Sequence, residues 1–254
     1  MPVTRPFAVL ATLALLAGCD SRSQAPSIPS QGAPAQAEPA PIAQPLVVEV
    51  YTDLVCPWCF IGTEALDRAI ASSSVGRRVV LRHKSFLLNP DTPAEGIDVA
   101  SYLREKTGRE PSAMFSRVEA VARANGIELD LSKQPRMYPT IHAHALLRNA
   151  EKRGTQRALE RALFRGYFLE GKDFTNLDTL VAVAAQHGFT EEEARRIVQD
   201  PAELSAVREE AREASMRGVR GVPFFAFPGG RTLSGAQSED VLRAALEQAA
   251  SSGT

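Results

Sequence analysis

The sequence predicts an α/β fold in which a large helical insertion separates a first pair of strands from a later β-hairpin. Three observations support this prediction. Leu46–Tyr51 is a β-branched apolar run typical of a buried strand, and Val79–Ser85 repeats the signal after one helix. Residues from about 90 to 217 then carry helical patterns. The strand signal returns at Val222–Phe227, so the insertion ends before that segment.

Capping residues and glycines set the predicted ends of the other elements. Phe60–Ala71 is the helix between the first two strands. Pro228–Gly230 forms a turn, Arg231–Ser234 pairs back as a hairpin, and Ser238 caps a last helix, Glu239–Ala250. In the insertion the predicted helices are Asp98–Lys106, Ser112–Gly126, Thr140–Arg153, Thr155–Glu170, Asn176–His187, Thr190–Gln199 and Pro201–Arg217.

The composition limits the classes of protein to consider. The 254 residues, of which 44% are hydrophobic, are enough for one large domain or two small ones. A formal net charge of -1 gives no indication of nucleic-acid binding. The chain has three cysteines, too few for a fold held together by disulfides, and two of them, Cys56 and Cys59, are two residues apart. The cysteines are therefore placed for chemistry rather than for cross-linking.

The N-terminal residues predict a targeting signal. Met1–Arg5 carries one positive charge, and Phe7–Gly18 is a 12-residue apolar run, too short to cross a bilayer as a helix. Leu16–Cys19 resembles a bacterial lipobox, in which the peptide is cut before the cysteine and the cysteine carries lipid. We interpret residues 1–18 as a lipoprotein-type signal peptide and Cys19 as the lipidation site. An ordinary signal peptide with a chance cysteine is the alternative.

The residues after Cys19 predict a tether. Asp20–Pro45 holds six of the seventeen prolines, together with Ser, Gln and Ala, and has almost no large apolar residues. Such a composition cannot bury a core and is typical of an extended, disordered linker. We therefore predict a tether over residues 19–45 and a folded domain over residues 46–254. The lipid anchor would hold this domain outside the cytoplasm, in the periplasm or cell envelope.

Cys56-Pro57-Trp58-Cys59 is the main indication of function. A CxxC near a strand–helix–strand pattern is typical of a redox site. The partial positive charge at a helix N-terminus favours the thiolate form of Cys56. Pro57 suits the first helical position, and Trp58 adds an apolar lid. Cys59, on the same helical turn, can resolve a mixed disulfide formed on Cys56.

Two other interpretations of the cysteine pair are open. Half of a zinc site is one, but zinc usually takes four ligands and the sequence has no second CxxC. His142 and His144 could supply nitrogens, but residues two apart do not share a helix face. A structural disulfide is the other, but so small a loop contributes little stability. We predict no metal.

The second site element is Gly221-Val222-Pro223. Proline cannot donate to a strand ladder, and X–Pro bonds are where cis peptides occur. Its place after the helical insertion and before the hairpin is where thioredoxin folds hold a cis-proline facing the CxxC. The backbone of Val222 would then be free to pair with an extended substrate. An edge-strand proline in trans is the alternative.

These residues resemble the DsbA family, and most closely its FrnE-like branch. The resemblance implies a thioredoxin-like fold with a large helical insertion between the second strand and the cis-proline strand. It implies dithiol–disulfide exchange with protein or small-thiol substrates, with Cys56 as nucleophile, Cys59 as resolving thiol and Pro223 as the cis-proline. It implies no cofactor beyond the Cys56–Cys59 disulfide. The segments that carry it are Asp53–Gly62, Thr140–Leu147, Ala162–Asp173, Gly218–Phe227 and Ser234–Gln237.

The chain departs from the family pattern at three places. His142 stands where the branch usually has Asp, whereas His144 keeps its family position, so the role of both histidines is open. Val50 stands six residues before Cys56, where many thioredoxin folds have a buried acid. Proton transfer would then fall to Glu49, Asp53 or water. Many branch members resemble cytoplasmic proteins, but this chain has a lipoprotein-like leader.

Three functions compete at this point. The leading prediction is a membrane-tethered oxidoreductase that exchanges disulfides in envelope proteins, working with an unidentified redox partner. The second is a glutathione-linked enzyme similar to the kappa transferases and chromene-carboxylate isomerases, which typically lack the second cysteine. The third is a non-catalytic, peptide-binding chaperone lipoprotein that uses the strand edge at Pro223. The direction of electron flow stays open, because His83 and Arg220 cannot be placed relative to the thiols.

Overall fold

The computed structural model of the protein describes residues 44–252. The chain divides into two units after Pro41, and the described residues belong to the second, Ile42–Thr254. The predicted signal peptide, the lipidation site Cys19 and all but the last two residues of the predicted tether lie outside the described residues. They therefore stay predictions.

The elements follow the predicted order of strand, helix, strand, insertion, hairpin and helix. In the described chain they are β1 (Leu46–Thr52), α1 (Pro57–Ser72), β2 (Val79–Ser85), β3 (Ile97–Asp98), α2 (Val99–Thr107), α3 (Pro111–Ala124), β4 (Arg136–Met137), α4 (Ile141–Glu151), α5 (Gln156–Phe168), α6 (Leu177–Ala185), α7 (Glu191–Gln199), α8 (Pro201–Met216), β5 (Phe224–Ala226), β6 (Thr232–Ser234) and α9 (Glu239–Ser251).

A four-stranded sheet forms the centre of the domain, with strand order β2-β1-β5-β6. β1 and β2 are parallel, because α1 connects them as a crossover, and the other pairs are antiparallel. The central position of β1 explains its near-continuous apolar sequence, since a strand covered on both sides has no solvent face. The predicted α/β fold with a helical insertion is confirmed.

One face of the sheet is covered by the first and last helices. Leu66 of α1 and Leu242 and Leu246 of α9 join Val48 and Phe225 of the sheet in one buried apolar cluster. Burying a side chain of this size contributes about 1.5–3 kcal/mol. This cluster therefore fixes α1, and with it the CxxC, against this face of the sheet.

The insertion has its own apolar core, which includes the start of α1. Phe60 stacks on Phe164 and Phe168 of α5, with ring centroids 5.6 and 6.0 Å apart. Because Phe60 directly follows Cys59, this packing holds the cysteine pair at the junction between sheet and insertion. No helix among residues 44–252 has the length and apolar character needed to cross a bilayer.

Several predicted element bounds were wrong by one to three residues. α1 begins at Pro57, the first helical position suggested for that proline, rather than at Phe60, because proline is tolerated in the first helical turn. For the same reason α3 begins at Pro111, with Glu110 rather than Ser112 at its N-cap. β5 begins at Phe224 rather than Val222, since Pro223 has no N–H to donate to the ladder.

The insertion also contains strand, which the sequence analysis missed. Ile97–Asp98 and Arg136–Met137 pair as a two-stranded antiparallel ribbon. Two residues are too few for a period-2 pattern, so only the fold brings the segments together. The capping role of Asp98 is confirmed, because its Oδ1 accepts a hydrogen bond from the Ser101 N–H at 2.7 Å.

Candidate active site

Cys56 lies at the N-cap of α1 with extended backbone angles, φ -94° and ψ 108°. Its carbonyl oxygen accepts hydrogen bonds from the N–H groups of Cys59 and Phe60 at 3.0 and 3.3 Å, and its own N–H donates to the Asp53 carbonyl at 3.0 Å. The side chain makes no capping bond. The thiol therefore sits at the positive end of the helix, as the spacing predicted.

Cys59 differs from Cys56 in its surroundings. Both are free thiols, but Cys59 is completely buried, whereas Cys56 keeps 5% of its surface exposed. Burial raises the pKa of the Cys59 thiol well above its ordinary value, and the hydrogen bond and charge of Cys56 raise it further. The Asp53 backbone bond lowers this pKa and the Asp53 charge raises it. The Cys59 proton is therefore tightly held.

The Val222–Pro223 peptide is cis, in agreement with the prediction, and it faces the cysteine pair. The Cys56 thiol donates to the Val222 carbonyl oxygen, with sulfur and oxygen 3.7 Å apart. Gly62 of α1 allows this approach, because a Cβ at that position would lie 2.9 Å from Cγ of Pro223. A residue one turn after the CxxC thus controls how closely the proline loop approaches Cys56.

An apolar cavity of about 290 Å³ opens beside Cys56. Pro57 and Trp58 form its wall on the α1 side, and Leu103 of α2 and Phe115 of α3 face them from the insertion. Lys106 carries the only charge among the described side chains that line the cavity, and its Nζ donates to the Tyr102 hydroxyl at 2.9 Å. Trp58 is therefore a wall of this cavity, close to its predicted role as an apolar lid.

A buried carboxylate lies behind the cysteine pair, on Asp53. Its Oδ1 accepts from the Thr140 hydroxyl at 2.8 Å, and its Oδ2 accepts from the Leu88 N–H at 2.8 Å. Asp53, one of the predicted proton acceptors, is therefore buried and fully hydrogen-bonded, and its carbonyl oxygen accepts from the Cys56 N–H. Glu49 instead accepts a hydrogen bond from the Tyr51 hydroxyl on β1.

The two histidines of α4 have different environments. His142 is half-buried, and its Nδ1 lies 2.6 Å from the Val198 carbonyl oxygen, so it donates there. His144 is completely buried and stacks on His83 of β2 with ring centroids 5.2 Å apart. His83, which the sequence could not place, therefore lies behind the site, whereas Arg220 is exposed.

Among residues 44–252 no three His, Cys, Asp or Glu side chains converge in a metal-binding arrangement. The nitrogens of His142 and His144 point to different partners, the Val198 carbonyl and His83.

The sequence matches the family model of the DSBA-like thioredoxin domain over residues 47–247. The chain belongs to this family. The match covers nearly all of the described domain, including the CxxC, the insertion and the cis-proline loop. DsbA-like proteins are thiol–disulfide oxidoreductases.

Solved structures agree with the assignment to the DsbA-like family. A protein named as a probable DsbA oxidoreductase from Streptomyces coelicolor is 33% identical to this chain, with a TM-score of 0.73 over 80% of this chain and 89% of that one. The cytosolic disulfide reductase DsbM of Pseudomonas aeruginosa, solved with GSH, is 18% identical, with a TM-score of 0.59 over 80% of this chain and 98% of that one. The second likeness shows the DsbA-like fold alone.

A curated relative also covers most of the DsbA-like domain. The uncharacterized protein YwbO of Bacillus subtilis (strain 168) is 24% identical over 208 residues, which are 78% of this chain and 94% of that protein.

Sequence patterns did not indicate Glu160 or the contacts among the buried polar groups. Glu160 of α5 accepts from the Thr52 hydroxyl at 2.8 Å and lies 3.1 Å from Nδ1 of His83. The available signal was the alternation of β2, which places His83 on the same face as the apolar Leu81. A buried histidine needs a partner, but the partner's identity depends on how α5 packs.

Proposed function

We propose that this chain is a dithiol–disulfide oxidoreductase in which Cys56 exchanges disulfides with substrates and Cys59 resolves the mixed disulfide. The observation that carries the proposal is the difference in accessibility between the two thiols. Cys56 lines the open cavity, whereas Cys59 is completely buried. A substrate sulfur can therefore reach the first cysteine but not the second, which fixes the order of the two steps.

The exchange needs no cofactor beyond the pair itself. In the oxidising direction a substrate thiolate attacks Cys56 of the disulfide, the Cys56–Cys59 bond breaks, and Cys59 leaves with the electron pair and takes up a proton. A second substrate thiolate then attacks the substrate sulfur of the mixed disulfide and releases Cys56 as a thiolate. The substrate loses two electrons and the pair gains two. Reduction of a substrate is the same sequence in reverse, and the redox partner decides the direction.

The cavity beside Cys56 favours substrates with an apolar group next to the reacting cysteine. Leu103 and Phe115 present apolar surface within the same cavity as the Cys56 thiol. An extended substrate would lie along Val222, whose carbonyl already contacts the thiol, while its neighbouring side chain enters the cavity.

Two peptide disulfides that differ only in one residue beside the cysteine, Phe or Asp, test this proposal. We expect the wild-type protein to exchange about 10-fold faster with the Phe peptide, because burying that ring contributes about 1.5–3 kcal/mol. Phe115→Glu should remove the preference while the Cys56 chemistry remains. Stopped-flow fluorescence of the labelled peptides measures both rates.

Ser116→Glu is the matched control, because it adds the same charge at the next, exposed position of α3. It should keep the preference for the Phe peptide. A wild-type protein that exchanges with neither peptide would overturn the proposed activity. Exchange with both peptides at equal rates would leave the activity and reject the apolar substrate class.

The two alternative functions give different results in the same assay. A glutathione-linked transferase or isomerase needs one nucleophile, so it would keep its activity when Cys59 is replaced. A peptide-binding chaperone would act with both cysteines replaced. The retention of both cysteines in one redox-type motif supports dithiol exchange over either alternative.

We also propose that the domain works outside the cytoplasm, in the periplasm or cell envelope, tethered by lipid on Cys19. The support is the apolar run Phe7–Gly18 ending in a lipobox-like segment, followed by a proline-rich stretch. One acyl chain binds a membrane only weakly, whereas the multiple chains of a lipoprotein anchor it stably.

Cys19→Ala should abolish lipidation and move the protein from the membrane fraction to the soluble fraction. Mass spectrometry of the mature N-terminus and fractionation of cells measure this. Ser21→Ala changes a neighbour outside the lipobox-like segment and should leave both readouts unchanged. Unaltered membrane association and processing of Cys19→Ala would show that the leader is an ordinary signal peptide.

A further inference from the structure

Helix α2 presents one face to the cavity that holds the Cys56 thiol. Val99, Tyr102, Leu103 and Lys106 line the cavity, and their spacing of three and four residues places them on the same side of the helix. No residue of α2 is buried, so the rest of the described chain covers this face only in part. The face is therefore available to a substrate that has reached Cys56.

The end of this face carries a cation without an anionic partner. Lys106 is the only charged residue among the described side chains that line the cavity. Its Nζ lies 2.9 Å from the Tyr102 hydroxyl oxygen and 5.2 Å from the centroid of the same ring. Within residues 44–252 Lys106 forms no ion pair, whereas Arg104 of the same helix pairs with Glu110 at 2.9 Å. The charge at the cavity is therefore uncompensated.

Lys106 and Tyr102 together have hydrogen-bond donors that the described chain does not use. The ammonium group has three N–H donors, and one of them points to the Tyr102 hydroxyl. Because that hydroxyl accepts this bond, its own proton stays available, and no described residue accepts it. A carboxylate has two acceptor oxygens and can take one bond from each group. The pair therefore has the donors that a carboxylate requires.

The spacing along α2 sets where such a carboxylate would lie in a substrate. Lys106 follows Leu103 by three residues, which is about 4.5 Å along the helix axis. In an extended peptide, side chains two residues apart point the same way and are about 7 Å apart. The long, flexible stem of Lys106 spans the difference. A substrate whose apolar side chain contacts Leu103 would thus bring the side chain two residues further on to Lys106.

We propose that Lys106 and Tyr102 bind an Asp or Glu side chain of the substrate, two residues beyond the apolar residue that enters the cavity. This inference rests on the dithiol exchange proposed above and narrows its substrate class. The preferred segment is an extended one in which a cysteine, an apolar residue, any residue and an acidic residue follow each other, in either chain direction. Lys106 and Tyr102 then determine specificity, and the exchange of disulfides stays with the cysteine pair.

Two peptide disulfides test the proposal, one with the segment Cys-Phe-Ala-Asp and one with Cys-Phe-Ala-Asn, each also made in the reverse order. Both have amidated C-termini, so the Asp side chain is the only carboxylate. We expect the wild-type protein to exchange about fivefold faster with the Asp peptide, which corresponds to about 1 kcal/mol for a partly exposed ion pair. Stopped-flow fluorescence measures the rates. In about 1 M salt the preference should disappear, because the screening length falls to about 3 Å.

Substitutions at the pair separate charge from packing. Lys106→Met keeps most of the stem and should abolish the preference for the Asp peptide while the rate with the Asn peptide is unchanged. Tyr102→Phe removes only the hydroxyl and should reduce the preference to about twofold, since one neutral donor is lost. Lys106→Glu should favour a peptide with Lys in place of Asp. Lys152→Met, the same change at an exposed position outside the cavity, is the matched control and should keep the fivefold preference.

The possible results distinguish this inference from the function on which it rests. Equal rates with the Asp and Asn peptides in both orders, or an unchanged preference in Lys106→Met, would overturn the acid-binding role. Equal slowing of both peptides by Lys106→Met would also overturn it, because the stem would then act by apolar contact alone. A protein that exchanges with none of the peptides would instead reject the proposed dithiol exchange, and this inference with it.

Discussion

Cys59→Ser is expected to stall exchange after its first step and to leave substrates covalently attached to Cys56. The variant keeps the nucleophile that lines the cavity and removes the completely buried thiol that resolves the mixed disulfide. Intramolecular attack is replaced by bimolecular attack, so the mixed disulfide should persist on the order of 100-fold longer. Non-reducing gels and mass spectrometry of the protein after reaction with a peptide disulfide measure the trapped species.

Cys56→Ser is the matched comparison, because it replaces sulfur with oxygen at the other cysteine of the pair. It should trap nothing and should not exchange, since a substrate sulfur does not reach the buried Cys59. Equal trapping by the two variants would contradict the assigned order of attack. Trapping by Cys56→Ser alone would reverse it.

Glu160→Gln is expected to lower the free energy of unfolding by about 3 kcal/mol at pH 7. The native pKa of Glu160 is about 2 rather than 4.5, and this difference corresponds to about 3 kcal/mol of stability. Removing the charge leaves Arg157 and His83 without their buried anion, and breaking such a pair is strongly destabilising. Chemical denaturation of the two proteins at pH 7 measures the difference.

The stability that Glu160 contributes should depend on pH in one direction only. Because the native pKa is lowered, the stabilisation by Glu160 is complete above about pH 4.5 and is lost as pH falls towards about 2. Wild type and Glu160→Gln should therefore approach equal stability in acid. Glu105→Gln, the same change at an exposed position of α2, should stay within about 0.5 kcal/mol of wild type at every pH. Equal stability of Glu160→Gln and wild type at pH 7 would contradict the ionised, paired state.

Local sequence features were enough to predict the element order and the redox motif. The apolar, β-branched run of β1 identifies it as a strand, and capping residues such as Asp98 identify the ends of helices. Both features lie within a few consecutive residues of the sequence. The spacing of Cys56 and Cys59 likewise fits within one helical turn. The position of Pro223 relative to the hairpin indicated the cis peptide that the structure contains.

Features that depend on contacts between residues distant in the sequence could not be predicted from local patterns. The sequence could name Asp53 as one of several candidate proton acceptors, but not its burial or its partners Thr140 and Leu88. The cavity likewise needed the docking of α2 and α3 beside Trp58, which local patterns do not specify. The two-residue strands β3 and β4 were missed because each is too short to carry a period of its own.

The sequence by itself therefore determined the chemistry, a CxxC at a helix N-terminus in an α/β domain with a helical insertion. Tertiary structure decided which thiol faces the cavity and which groups lie behind it. His83 and His144 are 61 residues apart, and Asp53 and Thr140 are 87 apart, yet each pair is in hydrogen-bond contact. Burial depends on the packing of whole elements, and this packing alone removes Cys59 from solvent and places a histidine pair next to Asp53.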